Sequence, residues 1–476
     1  MKYLYLCTLL FPFLSSLIIL KTKNEKSRNI ITLLIVSITS LLVWTLILNS
    51  NDEVYSIISF TDKLEIKMGY DSLGKFFAGI VATLYPLTTI YSFEYMNHDH
   101  RTRLFYFFFI LAYGVTIGIT LSRDLFTLYC FYELLTLTTM PLVLHNRDEA
   151  SSRAARVYLY LSIGGASLAF ASMLYVVVND GVLVRNEVTQ LFYLLGFLGF
   201  GVKAAVFPFH IWLPRASVAP TPVTALLHAV AVVKSGVFAI IRLTYYVYGV
   251  DNLIDSFGQY IPMIIVLFTI LYGSIKAVRQ SHIKRKMAYS TVANLSYILF
   301  AVLLMSETGL QAGLIHMANH AQIKILLFFV VGAIMHTNNI EYVDELDGLA
   351  SKMPITFACY LIGALALIGI PPLSGFISKF YLISAGLDSN TTYSIMGIII
   401  LLISALLTAI YTLIPLRHAY FPDKSKDLSK LVNYREAGKL MLIPMIILMV
   451  SIIVTGLFSS SIVNSAFNIA STIGGW

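Results

Sequence analysis

Charged residues are scarce in this chain. Asp, Glu, Lys and Arg make up only 12% of its 476 residues, whereas 58% are hydrophobic, and the mean hydropathy is +0.79. Soluble domains carry about 25% charged residues, so the composition excludes an ordinary soluble protein. Cysteine is scarce too: Cys7, Cys130 and Cys359 all lie in apolar segments without the spacing of a metal or redox site.

Long apolar stretches take the place of the missing charge. We count fourteen that can cross about 30 Å of hydrocarbon, and we therefore predict an all-α polytopic membrane protein with about 14 transmembrane helices. Their approximate bounds are residues 3–20, 30–48, 72–93, 104–121, 124–144, 153–178, 188–214, 221–248, 258–278, 286–305, 309–335, 353–386, 393–416 and 440–460.

The net charge of +8 would suggest nucleic-acid binding, but the positions of the basic residues argue against it. They concentrate in the loops after odd-numbered spans, whereas the loops after even-numbered spans carry mostly acids. Because cytoplasmic loops are enriched in Lys and Arg, we predict that the odd loops face the cytoplasm and that both termini lie outside a prokaryotic cell (inner) membrane. The basic residues are Lys21, Lys23, Lys26, Arg28, Arg101, Arg103, Arg147, Arg153, Arg156, Lys276, Arg279, Lys284, Arg285, Lys286, Arg417, Lys424, Lys426, Lys430, Arg435 and Lys439.

A few charges remain inside the predicted spans. Lys203, Lys234, Lys324 and Lys379 lie at depth, and Glu133 is the clearest carboxylate. Such groups are costly unless they face protein, water or a counter-ion. One interpretation is a set of structural ion pairs. The other is a proton path, because burial favours the neutral form of an amine and a nearby carboxylate favours the charged form. Several lysines with one glutamate favour the proton path, since buried ion pairs stabilise a fold only weakly.

Four histidines are candidate relay groups, because imidazole exchanges protons near neutral pH. His320 lies four residues before Lys324 and therefore on the same helix face, although each histidine has the alternative of being a hydrogen-bonded core residue. There is no His-Glu-x-x-His motif and no cysteine partner, so we expect neither a metal nor another cofactor. The four are His228, His316, His320 and His336.

Prolines interrupt two predicted spans. Pro208 follows Lys203 in the seventh span, and Pro371 and Pro372 precede Lys379 in the twelfth. Proline frees a backbone carbonyl, which is tolerated where that carbonyl meets water or an ion; a simple packing kink is the alternative at either site. Two interrupted spans, each with a lysine and five apart in order, predict two five-helix repeats, the second inverted in the membrane.

These repeats divide the chain into four parts. We predict N-terminal transmembrane helices 1–3 in residues 1–103, the first repeat in 104–250 and the second in 251–420. A cytoplasmic loop and the last transmembrane helix follow in 421–476. No internal sequence identity accompanies the division, which depends on the broken spans and their lysines.

Several motifs, in their order along the chain, resemble one known family. It comprises the antiporter-like subunits of respiratory NADH:quinone oxidoreductase, membrane-bound hydrogenases and Mrp-type sodium/proton antiporters, including the Mrp D subunit. Each motif alone is moderately specific, but the set is highly specific. Between about residues 124 and 380 they are PFHIWLP, APTPVTALLHAVAVVKSG, KRKMAYST, NHAQIKILLFFVVGAI and GIPPLSGFISKF.

The resemblance implies a role for each buried charge. Glu133 would pair with Lys203, and changes in this pair would shift the proton affinity of Lys234 and Lys324. Lys379 matches the position where protons are thought to leave or enter in such proteins. Together these groups would form a hydrated line along the membrane midplane.

We therefore expect a proton-translocating subunit of a multisubunit membrane complex, without a catalytic site of its own. The parent complex would be an Mrp-type cation/proton antiporter or a membrane-bound hydrogenase-like redox pump. The alternative is a proton channel that energises another process, such as inorganic carbon uptake, and the cost of buried charge disfavours a purely structural scaffold. Partners would be other membrane subunits and the lipid bilayer. Any sodium path would lie in a partner, because Glu133 is the only firm deep acid and a hard cation needs several oxygen ligands.

Overall fold

The computed structural model describes residues 1–97, 99–423 and 429–473. Lys424, Lys426 and the side chain of Lys430, all in a predicted basic loop, lie outside the described part. The helices are α1 Lys2–Lys21, α2 Glu25–Asn49, α3 Ser72–Tyr95, α4 Thr102–Leu121, α5 Leu125–Val143, α6 Glu149–Val178, α7 Glu187–Gly201, α8 Trp212–Arg215, α9 Thr221–Ala229, α10 Val232–Ile241, α11 Phe257–Arg279, α12 Ile283–Leu303, α13 Glu307–Asn338, α14 Pro354–Ile368, α15 Ser374–Ser389, α16 Thr392–Tyr420, α17 Lys439–Leu457 and α18 Ser460–Ile473.

Twelve helical segments of the described residues are long and apolar enough to cross a membrane. They are α1 to α6, the segment that contains α9 and α10, α11 to α13, α16 and α17. The two remaining predicted spans are each broken, into α7 and α8 and into α14 and α15. The prediction of an all-α polytopic membrane protein is thus confirmed.

The core of the bundle is formed by helices from the middle of the chain. α12, α13 and the α9–α10 segment are almost wholly buried. By contrast, α1 and α16 leave large apolar side chains such as Leu17 and Leu406 exposed. An extensive apolar surface of this kind is typical of a protein surrounded by lipid. Lys234 on α10 and Lys324 on α13 therefore lie in the most enclosed part of the molecule.

Three basic residues that we assigned to loops are instead buried in helices. α12 starts earlier than predicted, so Lys284 and Lys286 are helical and almost inaccessible, and Arg28 is similarly buried in α2. Lys284 Nζ donates to the carbonyl oxygen of Ala219 at 2.6 Å, and Lys286 Nζ to that of Ala277 at 3.1 Å. The loop assignment was wrong for the two lysines because carbonyls near helix ends can satisfy a buried ammonium group.

A β-hairpin that we did not predict fills the connection between α2 and α3. Its strands, β1 Tyr55–Ser59 and β2 Glu65–Met68, pair antiparallel. The backbone N–H of Lys67 donates to Thr127 Oγ1 at 2.8 Å, which ties β2 to the first turn of α5. The hairpin thus links the start of α5 to the segment that leads into α3.

The eighth span is interrupted, although we predicted one continuous helix over 221–248. Val230, between α9 and α10, has φ −132° and ψ −65°, outside helical values. After α10 the chain continues in a π-helical segment, Arg242–Tyr248. Neither proline nor glycine lies between α9 and α10, so the sequence contains none of the usual helix-breaking signals there.

Candidate functional site

The site is built around four lysines, called the lysine set: Lys203, Lys234, Lys324 and Lys379. Lys203 Nζ lies 3.5 Å from Glu133 Oε1. Lys203 Nζ also donates a hydrogen bond to the carbonyl oxygen of Tyr132 and lies 3.3 Å from the centroid of the Tyr132 ring. The Lys203 side chain is fully buried, whereas that of Glu133 is 25% exposed. The ion pair therefore lies at the edge of the bundle, with its acid on the outer side.

Lys203 lies in the turn that follows α7. Pro208 is in the same turn, where the Phe207–Pro208 peptide bond is cis. Trp212 Nε1 donates to the carbonyl oxygen of Val202 at 2.7 Å. The same carbonyl oxygen accepts the backbone N–H of Ala205 at 3.1 Å, so Trp212 adds a second hydrogen bond to the turn in which the helix is interrupted.

Gly236 brings α10 against this turn. A Cβ atom at Gly236 would lie 2.4 Å from the backbone nitrogen of Ala204, so the two backbones touch there. Lys203 and Lys234 therefore belong to neighbouring segments. Among the described residues no hydrogen bond joins their side chains, so proton transfer between them requires bridging water.

Lys234 contacts a histidine. Lys234 Nζ and His320 Nδ1 are 3.0 Å apart, and both side chains are buried. The His320 ring stacks on His316, one turn earlier in α13, with ring centroids 5.7 Å apart. His316 Nδ1 lies 2.9 Å from Ser378 Oγ on α15. Two polar contacts, joined by this ring stack, thus connect α10 through α13 to the second broken span.

Lys324 lies one turn after His320 and points to α12. Its ammonium group donates to the carbonyl oxygen of Met287 at 2.9 Å and to the Ser290 hydroxyl. In the described part of the chain neither Lys234 nor Lys324 has a carboxylate within salt-bridge distance. A buried ammonium group without a counter-ion is expensive, so a structural ion pair does not explain either lysine.

Lys379 lies at the second break. Pro371 and Pro372, joined by a cis peptide bond, lie in the turn between α14 and α15. Lys379 Nζ donates to the carbonyl oxygens of Leu367 at 2.9 Å and Ile368 at 2.8 Å. The last carbonyls of a helix lack intrahelical partners, so Lys379 also acts as a cap for α14.

The two remaining candidate histidines lie outside this chain of contacts. His228 is fully buried, its ring centroid is 4.8 Å from that of Phe328, and neither ring nitrogen has a well-formed hydrogen bond within the described residues. His336 is exposed in the last turn of α13, with its ring centroid 5.0 Å from that of Tyr95. It is about 18 Å from Lys324 along the helix axis and so lies near the end of the span.

One buried ion pair was not among the predicted site groups. Arg242 donates through both terminal nitrogens to Asp71, and Arg123 Nη1 lies 4.0 Å from the same carboxylate. Burial acts to raise the pKa of Asp71, but Arg242, the Gly74 N–H and Arg123 together hold this pKa below its usual value. Asp71 is the N-cap of α3 and lies just outside the predicted span, so the expectation that Glu133 is the only firm deep acid within a span stays a prediction. The available signal was an arginine inside a predicted span.

Two kinds of sequence comparison agree on the relationships of the chain. The family described as "NADH:quinone oxidoreductase/Mrp antiporter, TM" matches residues 122–408. The Na(+)/H(+) antiporter A subunit of Alkalihalophilus pseudofirmus is 32% identical over 426 residues, or 82% of this chain and 52% of that protein. The A1 subunit of Staphylococcus aureus (strain bovine RF122 / ET3-1) is 30% identical over 430 residues, or 83% and 53%. The chain spans about half the length of these curated relatives.

Solved structures show the same fold at lower sequence identity. A chain of the archaeal membrane-bound sulfane sulfur reductase superposes with a TM-score of 0.87 at 22% identity, covering 98% of this chain and 97% of that one. A chain of the Mrp complex from Dietzia sp. DQ12-45-1b gives 0.83 at 19% identity, covering 99% and 98%. The span of the family match and the identity to the curated relatives together show that this chain belongs to the family of NADH:quinone oxidoreductase and Mrp antiporter transmembrane subunits.

Proposed function

We propose that this chain translocates protons through the interior of the membrane as one subunit of a multisubunit complex. The observation that carries the proposal is the 3.0 Å contact between Lys234 Nζ and His320 Nδ1 in a fully enclosed site. One of these nitrogens donates a proton and the other accepts it. A purely structural ion pair would place a carboxylate beside Lys234.

The path extends from this contact to both broken spans. On one side Glu133 and Lys203 form the ion pair that neighbours α10. On the other side His320 leads through His316 towards Lys379. When Glu133 moves away, the charge of Lys203 is less compensated and repels a proton on Lys234, because charges interact strongly in a low-dielectric interior. Loosening of the pair would therefore push a proton from Lys234 towards His320.

The exposure of Glu133 supports a neighbouring membrane subunit. Leu137, one turn further along α5, is 60% exposed, so this face of α5 lies on the outside of the bundle. A carboxylate against hydrocarbon is costly, and a subunit that covers Glu133 would remove this cost. The parent complex is an Mrp-type cation/proton antiporter or a redox pump like membrane-bound hydrogenase. The relatives named as antiporter subunits support the first.

The proposed orientation follows from the loop charges. The basic loops face the cytoplasm of a prokaryotic cell. Both termini face outside, as do the starts of α3 and α5 and the end of α10.

The two breaks support the division into residues 1–103, 104–250, 251–420 and 421–476, with the second repeat inverted. The relay comprises Glu133 and the lysine set, with His228, His316, His320 and His336 as further candidates.

Substitution of the central lysines tests the proposal. The complex is purified from native membranes, reconstituted in liposomes, and assayed for proton flux with a pH-sensitive dye. We expect Lys203→Ala and Lys234→Ala to abolish coupled transport while the complex still assembles, because each removes a group that binds the proton. Lys352→Ala is the matched control, since Lys352 is exposed. Full transport in both core variants would refute the proposal.

A further inference from the structure

We infer that a vestibule on the outer face gives protons direct access to Lys234, and that the Arg242–Asp71 pair together with Phe238 closes it. The inference rests on the proposed function, and it adds a second access route besides the broken span that contains Lys379. The vestibule is a cavity of about 280 Å³, which is room for several water molecules.

The wall of the vestibule comes from α5, α6 and the π-helical segment after α10. Arg242 lies at its base, and Arg123 and Asp124 lie beside it. Burial raises the pKa of Asp124, so this carboxyl group binds a proton more readily than an exposed one does. The residues that line the cavity are Arg123, Asp124, Leu125, Leu128, Val176, Gly181, Arg242, Tyr246 and Val247.

A single aromatic layer separates this base from the lysine set. Lys234, Phe238 and Arg242 follow each other at intervals of four residues, which places them on one face of the helix. Arg242 Cζ lies 5.1 Å from the centroid of the Phe238 ring. Phe77 of α3 packs against the same ring, with centroids 5.2 Å apart. Both phenylalanines are fully buried, so they form a plug between the vestibule and Lys234.

The ion pair above the plug has an alternative arrangement. Asp71 is held by Arg242, but Arg123 lies 4.0 Å away and is itself paired with the exposed Asp52. If Arg242 swings away, Arg123 can neutralise Asp71, so the buried carboxylate keeps a counter-ion. Arg242 also begins the π-helical segment, and π-helical turns are common at functional sites. The Arg242–Asp71 pair can therefore open without leaving the buried Asp71 carboxylate unpaired.

With the pair open, water can reach Lys234. A hydrated proton in the vestibule then transfers to the neutral amine of Lys234: its O–H bond breaks, an N–H bond forms and a water molecule remains. In the closed state the positive charge of Arg242 repels protons from the plug. The closed ion pair and the plug would therefore prevent uncontrolled proton exchange between the lysine set and the outside.

Removal of the plug tests this inference. Phe238→Ala in the reconstituted complex is expected to raise passive proton flux under an imposed potential several-fold, because the cavity left by the ring admits water. The leak should vanish in the Phe238→Ala, Lys234→Ala double variant. Phe170→Ala, on an exposed face of α6, is the matched control and should not leak. Absence of a leak, or a leak that persists without Lys234, would overturn the inference.

Thiol labelling decides the matter if the plug variant does not assemble. Val247, which lines the vestibule, is replaced by cysteine in a complex whose Cys7 and Cys130 are replaced by serine. A charged, membrane-impermeant thiol reagent is then added. We expect Cys at position 247 to be labelled, and the labelled complex to show a several-fold slower proton flux than the same complex without the reagent. A thiol that does not react, or one that reacts without slowing the flux, would contradict the vestibule. Failure of the proposed function would look different. In that case the single variant Lys234→Ala, with Phe238 intact and no thiol reagent, would keep the flux of the wild type.

Discussion

Single residues of the lysine set differ in what holds each ammonium group. Lys203 has a carboxylate nearby, whereas Lys324 and Lys379 donate to carbonyl or hydroxyl oxygens. Within the described structure, Lys234 alone of the four contacts a side chain whose ring can relay a proton from one nitrogen to the other, the imidazole of His320. Lys234 is therefore the member best placed to pass its proton on.

Replacement of His320 by glutamine tests this role. Glutamine keeps a hydrogen-bonding side chain next to Lys234 but cannot carry a proton through the ring. We expect His320→Gln to slow proton flux on the order of 100-fold, the usual contribution of a positioned acid–base group. The control is His145→Gln, since His145 pairs with Asp99 beyond the end of α5. Equal fluxes in the two variants would show that His320 is a packing residue.

The sequence predicted the members of this site better than their contacts. Periodicity and hydropathy identified the lysines, Glu133 and the histidines, because a charge inside an apolar stretch is conspicuous. The contact of Lys234 with His320 joins residues 86 positions apart, and no local pattern encodes such a distance. Arg242 was missed although it was equally conspicuous, and its partner Asp71 lies just outside a predicted span.

At the scale of helices, the breaks place the functional groups. α7 and α14 both end inside the bundle, and the side chains of Trp212 and Lys379 donate hydrogen bonds to backbone carbonyls at these ends. The prolines made these two interruptions visible in the sequence. The interruption between α9 and α10 has no such signal, so it could be found only in the tertiary structure.

Close packing of α10 against the turn after α7 gives a prediction for stability. A Cβ atom at Gly236 would lie 2.4 Å from Ala204 N, so we expect Gly236→Ala to destabilise the fold by about 1–3 kcal/mol, as overpacking does. Gly164→Ala is the control, because a Cβ atom there meets open space and alanine favours a helix by about 0.5–1 kcal/mol. Thermal unfolding of the two purified variants compares them directly. A melting temperature for Gly236→Ala at or above that of Gly164→Ala would contradict this packing.

For the whole molecule, the distribution of acids bears on which ion is carried. The described residues contain no group of three or more His, Cys, Asp or Glu side chains that could hold a metal ion. Glu133 is paired with Lys203, and Asp71 with Arg242. Both acids thus face a basic group, an arrangement that disfavours a bound cation.

We therefore expect the purified chain alone to carry no sodium. Uptake of radioactive sodium into liposomes that contain only this chain should equal that of empty liposomes, because the oxygen ligands a hard cation needs are not assembled among the described residues. The matched sample is the intact complex, in which a partner protein can supply a sodium path. Sodium uptake by the isolated chain would contradict this expectation.

Proton flux through the intact complex with Lys234→Arg tests the central claim most directly. Arginine keeps the positive charge in the core but stays protonated under all working conditions, so it separates proton transfer from charge alone. We predict that the variant assembles like the wild type and that its proton flux under an imposed potential falls to the level of empty liposomes. Wild-type flux in an assembled Lys234→Arg complex would contradict proton transfer through this lysine.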